Sequence, residues 1–118
     1  MGGKLNGMKE TVLYIVRSFV DRKVEKEWDE WHSKEHVPDV LKQPGFLGAS
    51  KYRDARSDGE YWTLYELESL EAFEKYDKGE GAKQLRADHH ARYGGSTRTE
   101  RFVLVKTLHT GKAPGPRD

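Results

Sequence analysis

EWDEWHSKEHVPDVLKQPGF, residues 27–46, is the stretch around which the rest of this chain is organised. It places two tryptophans, two histidines and several carboxylates on one short helix, then a proline, then a Pro44-Gly45 turn into the next element. On a wheel of about 100° per residue with Val24 at zero, Trp28, Trp31 and Glu35 fall within about 40° of it. Glu35 is thus expected on the apolar stripe, the alternative being an exposed acid at a frayed helix end. His32 and His36 sit at the edge of that stripe, one turn apart. An acid on a buried line with imidazoles on the rim is the pattern of a helix lining a pocket.

The surrounding chain reads as one domain, residues 10–109, within 118 residues. Residues 10–20, ETVLYIVRSFV, form a strand rich in β-branched and aromatic residues. Val12, Tyr14, Val16 and Val20 lie on one face and Leu13, Ile15 and Phe19 on the other, so both faces need cover. Asp21 caps a helix over about residues 23–36. Pro38 disfavours helical geometry at Val37 and breaks or kinks that helix. Residues 46–54 and 60–68 are two further strands, joined by a hairpin-type loop ending in Asp58-Gly59. Ser69 caps a second helix, which Gly79 and Gly81 divide. The part after the break, about residues 82–93, carries a stripe of Ala82, Leu85, His89 and Tyr93. Residues 99–109 make the last strand. The order βαββαβ gives an α+β, ferredoxin-like fold: a four-stranded antiparallel sheet with the helices on one face. Residues 1–9 and 110–118 are Gly-, Pro- and polar-rich tails, expected to be disordered.

Composition removes several classes. Hydrophobic and charged residues each make up 35% and the formal charge is +1, so no overall field draws the chain to nucleic acid or membrane. There is no cysteine, which excludes disulfides, thiolate catalysis and Cys-ligated zinc. No apolar run approaches the ~20 residues of a membrane span, and the first residues lack the apolar core of a signal peptide. A cytoplasmic location is the default expectation. Modest apolar content and an open sheet face point to a homodimer.

The βαββαβ order, the run Trp-x-x-Trp-His-x-x-x-His-x-Pro and the following Pro-Gly-Phe resemble the dimeric α/β-barrel superfamily, most of all its EthD-like and related small families. The likeness covers about residues 10–109. It implies two four-stranded sheets packed face to face, with a pocket in each subunit between sheet and helices. His36, of His-x-Pro, is the position that carries over. The superfamily includes cofactor-free monooxygenases, lactone isomerases, polyketide cyclases and haem-binding members, so the likeness leaves the reaction open.

The candidate catalytic residues are His36, His32, Glu35 and His89. Imidazole exchanges protons near neutral pH, and a desolvated Glu35 would have a raised pKa. His36 is read as the base, with His32 or Glu35 orienting it and His89 as a proton donor opposite. Trp28, Trp31, Tyr52, Trp62, Tyr65 and Tyr93 are candidate walls for a flat aromatic or polyketide-like substrate, or simply core. Arg53, Arg98 and Arg101 read as solvated strand residues. HSKEH also fits a two-histidine metal motif, but Pro38 cuts short the helix such a site needs. The ion pairs of residues 23–36 are expected along the outer face of the helix. Together these features point to a homodimeric enzyme that acts on a small carbonyl, phenolic or polyketide-like compound. Its chemistry would be proton transfer (isomerase or cyclase type) or monooxygenation, without a cofactor. The alternatives are a non-catalytic dimer that binds a small molecule, and a His-ligated metal or haem protein.

Overall fold

Strand β1, Val12–Val20, is the axis of the fold because it is paired along both edges. In the computed structural model, which describes residues 10–112, it lies between β3, Glu60–Leu67, and β4, Thr97–Val105. Strand β2, Phe46–Arg53, pairs with β3 on the far edge. The sheet order is β2-β3-β1-β4, and every neighbouring pair is antiparallel. This is the ferredoxin-like α+β arrangement expected from the element order. The tails assigned to residues 1–9 and 113–118 lie outside the described residues; residues 110–112 have no regular secondary structure. Strand β4 starts and stops earlier than the apolar run suggests. Its ladder runs from Val20↔Thr97 to Val12↔Val105, with one further backbone bond from the Lys106 amide to the Thr11 carbonyl at 2.9 Å.

The first helical stretch is continuous in direction but not in pitch. Helix α1, Glu25–Trp31, passes into a π-helical turn, His32–His36, and then into α2, Val37–Leu41. The Val37 amide donates to the His32 carbonyl, five residues back, which defines the wider turn. Pro38 explains the widening. It has no N–H for the Lys34 carbonyl, and its ring would collide with that carbonyl in a regular α-turn. Val37 nevertheless keeps helical angles, φ −61° and ψ −46°, so the proline widens the helix and does not end it.

Helix α3, Leu70–Lys78, is capped by Ser69, whose hydroxyl accepts from the Ala72 amide at 3.1 Å. Gly79 is extended and separates it from α4, Glu80–Tyr93. Two apolar clusters fill the space between helices and sheet. One holds Tyr14, Val40, Tyr65, Leu67, Phe73 and Tyr76. The other holds Val20, Trp28, Trp31, Tyr61 and Tyr93. The carboxylates of α1 reach across to the second cluster. Glu25 accepts from the Tyr61 hydroxyl at 2.7 Å and Glu27 from the Tyr93 hydroxyl at 2.8 Å. These contacts and the Asp29–Lys51 pair at 2.6 Å replace ion pairs along the helix with ties to the sheet and α4.

The other sheet face carries Leu13, Ile15, Phe19, Trp62, Leu64, Phe102 and Leu104, and among the described residues no helix lies over it. Arg17 lies among them, paired with Glu60 at 2.8 Å and Glu100 at 3.2 Å, and its guanidinium covers the Phe19 and Trp62 rings.

One turn position is sharply constrained. Gly59 has φ +76°, and a Cβ there would stand 2.5 Å from the Val20 carbonyl oxygen. A Cβ on Gly48, by contrast, would meet nothing within 4 Å. Gly59→Ala is expected to lower unfolding stability by about 2 kcal/mol or more in urea titration, and Gly48→Ala to change it by less than about 1 kcal/mol. Equal effects at the two positions would contradict this register.

Candidate functional site

The site lies at the seam between the two apolar clusters. Its floor is a run of small residues on the helix-facing side of the sheet, Val16, Ser18 and Thr99, with Thr63 buried beside them. The register sets Val16 opposite Thr63 and Ser18 opposite Thr99. Larger side chains there would fill the seam. Above this floor the π turn and α4 bring three imidazoles together. The His32 and His36 rings stack with centroids 5.3 Å apart, and His89 lies 5.6 Å from His36. They line a cavity of about 30 Å³ with Tyr14, Tyr65, Arg86 and Arg101, space for about two waters. It shares Arg86, His89, Thr99 and Arg101 with an outer cleft of about 310 Å³.

Two of the imidazoles have their protonation patterns set by fixed donors. The Trp28 indole N–H donates to His89 Nε2 at 3.0 Å, so neutral His89 carries its proton on Nδ1. The Lys51 ammonium lies 3.2 Å from His32 Nδ1. Because an ammonium only donates, neutral His32 carries its proton on Nε2. Lys51 is itself anchored by Asp29 Oδ1 and Ser33 Oγ, both at 2.6 Å. His36 differs: its Nδ1 is buried with no protein hydrogen-bond partner.

Electrostatics keep all three rings uncharged at neutral pH. Burial, then the Lys51 charge and the neighbouring imidazoles, pushes His32 down to about 2. Burial, then His89, with Arg101 also contributing, pushes His36 down to about 4 against the pull of Asp88 and Asp39. His89 is lowered by burial and then by Arg101. Burial raises the Tyr65 phenol, with Tyr14 and Tyr76 adding to the effect, and burial pushes Tyr76 up to about 12. Burial works against the Arg86 cation, but hydrogen bonds to Asp77 and Tyr14 outweigh it and hold the guanidinium above its usual range.

The structure redistributes the residues singled out in the sequence. His32, His36, His89 and Tyr65 line the cavity. Glu35 is exposed, not on the buried line. The π turn is the reason: with an i→i+5 repeat, His36 rotates in over Trp31, ring centroids 5.1 Å apart, and Glu35 is carried outward. Trp28 and Trp31 are core residues behind the imidazoles, Trp28 stacking on His32 at 4.3 Å. Tyr93 belongs to the same cluster. Tyr52 is 60% exposed, on the edge strand β2. Trp62 lies on the opposite sheet face, where its indole N–H donates to Glu60 at 3.0 Å. Period-2 alternation sends Trp62 there while Tyr61 and Thr63 face the helices. Arg98 stays at the surface, paired with Glu100 at 3.0 Å. Arg101 is exposed, as expected, and its Nε also donates to the Tyr14 hydroxyl at 3.1 Å at the edge of the site.

Sequence reasoning also missed Tyr14 and Arg86. The available signal was the small-residue floor beside a strand tyrosine. A separate groove of about 420 Å³, near Gln43 and Glu68, carries no histidine. Among the described residues, no group of three His, Asp or Glu side chains is arranged to hold a metal ion. None of the helices among them is long and apolar enough to cross a membrane.

The family described as "Domain of unknown function (DUF4286)" matches residues 11–107. Solved structures aligning with the chain include a mutant form of SnoaB from Streptomyces nogalater, a cofactor-independent oxygenase. That match has 16% identity and a TM-score of 0.69, and covers 86% of this chain and 98% of the other. An EthD family protein from Bacillus halodurans aligns at 14% identity and TM-score 0.60, covering 77% and 96%. A heme-degrading protein from Mycobacterium tuberculosis, in heme-free form, aligns at 20% identity and TM-score 0.61, covering 88% and 99%. At these identities the likeness is one of fold. No curated protein matches the chain.

Neutral burial of His32 and His36 has a stability consequence. An unfolded histidine takes up a proton below about 6.5, whereas these two stay neutral until about 2 and about 4. The stability they contribute is present above pH 6.5 and is lost as pH falls toward the folded values. Between pH 7.5 and 5 the unfolding free energy is expected to drop by roughly 3–4 kcal/mol, at about 1.4 kcal/mol per pH unit per group. Urea titrations across that range measure it, and a flat profile would contradict the burial.

Proposed function

The chain belongs to the family described as "Domain of unknown function (DUF4286)", and within it we propose that this protein is an enzyme of cofactor-independent proton transfer on a small carbonyl or phenolic compound. The observation that carries this reading is a single cavity holding a neutral His36 with an unpartnered buried nitrogen alongside two guanidinium groups. His36 takes a proton from carbon or oxygen next to a carbonyl or aromatic ring. The electron pair left behind becomes an enolate or phenolate, whose oxygen Arg86 and Arg101 stabilise. His32 and His89, held in fixed tautomers by Lys51 and Trp28, keep the His36 ring in place, His32 by stacking on it and His89 by packing against it at a tilt of 58°.

Lowered to about 4, His36 is a weak base but an uncharged one at neutral pH. Charge developing on the substrate beside it raises its affinity for the proton during the transfer. Returning that proton to another atom completes an isomerisation or a cyclisation with no redox change. If dioxygen is the co-substrate, the same carbanion leads to a monooxygenation in which CH₂ and O₂ become C=O and H₂O. The likeness of fold to a cofactor-independent oxygenase supports including that branch. The cavity's small size confines only the reacting end of the substrate; the remainder occupies the outer cleft.

A second copy of the chain is the proposed cover for the open sheet face. Phe102 and Leu104, 39% and 52% exposed, extend the apolar surface of Leu13, Ile15 and Leu64 across β4. Light scattering on the purified chain is expected to give twice 13.6 kDa, and Leu104→Glu to shift the mass toward that of one chain. A wild-type monomer would remove this assembly.

Proton transfer can be followed without knowing the natural substrate. In D₂O, a panel of anthrones and 1,3-diketones should exchange their acidic C–H for deuterium faster with the protein than without it. His36→Gln is expected to lower the catalysed rate by about 10²–10⁴-fold. Unchanged exchange in that variant would overturn the assignment of the base.

A further inference from the structure

Tyr14 and the two arginines that face the developing enolate also form a unit with contacts of its own. The buried Tyr14 hydroxyl accepts from Arg86 Nη2 at 3.2 Å and from Arg101 Nε at 3.1 Å. Two like charges are thereby held against one neutral oxygen. Arg86 is balanced by Asp77 at 2.6 Å. Among the described residues no carboxylate is paired with Arg101, although it adjoins Arg86 at the Tyr14 hydroxyl. Arg86 Nε is also buried without a protein hydrogen-bond partner. The cluster thus carries one uncompensated positive charge and one unsatisfied guanidinium N–H. Both border the 310 Å³ cleft that leads to the imidazoles.

From this geometry we infer that the site selects a small carboxylate, seating its anionic group on Arg101 and Arg86 and turning its acidic C–H or O–H inward to His36. The inference rests on the proton-transfer reading for what happens at the inner end, but the anion site stands on its own contacts. A guanidinium pair suits a carboxylate because each planar fork offers parallel N–H donors to two oxygens. The distance is short as well. Arg101 lines the same cavity of about 30 Å³ as His36 and His89. The acidic atom of the ligand is therefore only a few bonds from its carboxylate. Seating that carboxylate cancels the Arg101 charge, which lets His36 accept a proton more readily; the anion would thus both bind and prime the base. The nearby aromatic floor of Tyr14 and Tyr65 favours a flat carbon skeleton.

Calorimetric titration of the full chain with benzoate and with its neutral isostere benzamide tests this. Benzoate is expected to bind at least tenfold more tightly than benzamide. Arg101→Gln should remove that preference, and Arg101→Lys should retain part of it. Arg101 is exposed on the edge strand, and thermal melts of the variants establish that the fold is kept. Equal affinity for the two probes, no binding of either at millimolar concentration, or a benzoate preference that survives Arg101→Gln would each overturn the inference. The exchange assay separates the two readings. Deuterium exchange lost in His36→Gln without any benzoate preference sinks the carboxylate site alone. An Arg101-dependent benzoate preference with no catalysed exchange sinks the proton-transfer reading alone.

Discussion

The site follows from the missing amide hydrogen of Pro38. Unable to donate to Lys34, the proline forces the preceding turn open, and the Val37 amide reaches back five residues to His32. That single extra residue in the turn changes which side chains face the sheet. His36 swings in beside Trp31 and His32, and Glu35 swings out. A regular helix would have offered a carboxylate to the seam. The widened one offers a second imidazole, and the seam becomes a cluster of neutral nitrogen bases instead of an ion pair.

The cluster then depends on neighbours that cannot reverse their roles. An indole N–H and an ammonium are donors only, so Trp28 and Lys51 impose acceptor nitrogens on His89 and His32. Both anchors belong to the scaffold: Trp28 is fully buried in the core, and Lys51 is fastened to the first helical stretch through Asp29 and Ser33. Polar order is thus built from the same residues that hold helix to sheet. His36 is left as the ring with a buried nitrogen to spare, and Tyr14, Arg86 and Arg101 supply the positive side of the cavity.

Much of the fold was legible because its signals are local. Alternating apolar residues marked the strands, Ser69 marked a cap, Asp58-Gly59 marked the hairpin, and Gly79 marked the break between α3 and α4. The apolar outer parity of β1 anticipated an uncovered face. The site was legible only in part. The histidines were identifiable by type and spacing, but a wheel of constant pitch put Glu35 in the wrong place, since the effect of Pro38 on the preceding turn is not periodic. Arg101 was rightly read as exposed, but its bond to Tyr14 was not foreseen. Its parity matches Thr97 and Thr99, which face the helices, yet a long cation on an edge strand ordinarily extends into water. Only the Tyr14 hydroxyl opposite, reached diagonally across the ladder, holds its Nε at the edge of the site.

Three uncharged imidazoles, two of them with assigned protons, are the heart of the site, and ¹⁵N NMR of the histidine side chains reads their state directly. At pH 7 the expected spectrum shows His32 protonated on Nε2 and His89 on Nδ1, with His36 neutral and staying so well below pH 6. A His36 that titrates near 6.5, or a His32 and His89 sharing one averaged tautomer, would contradict it.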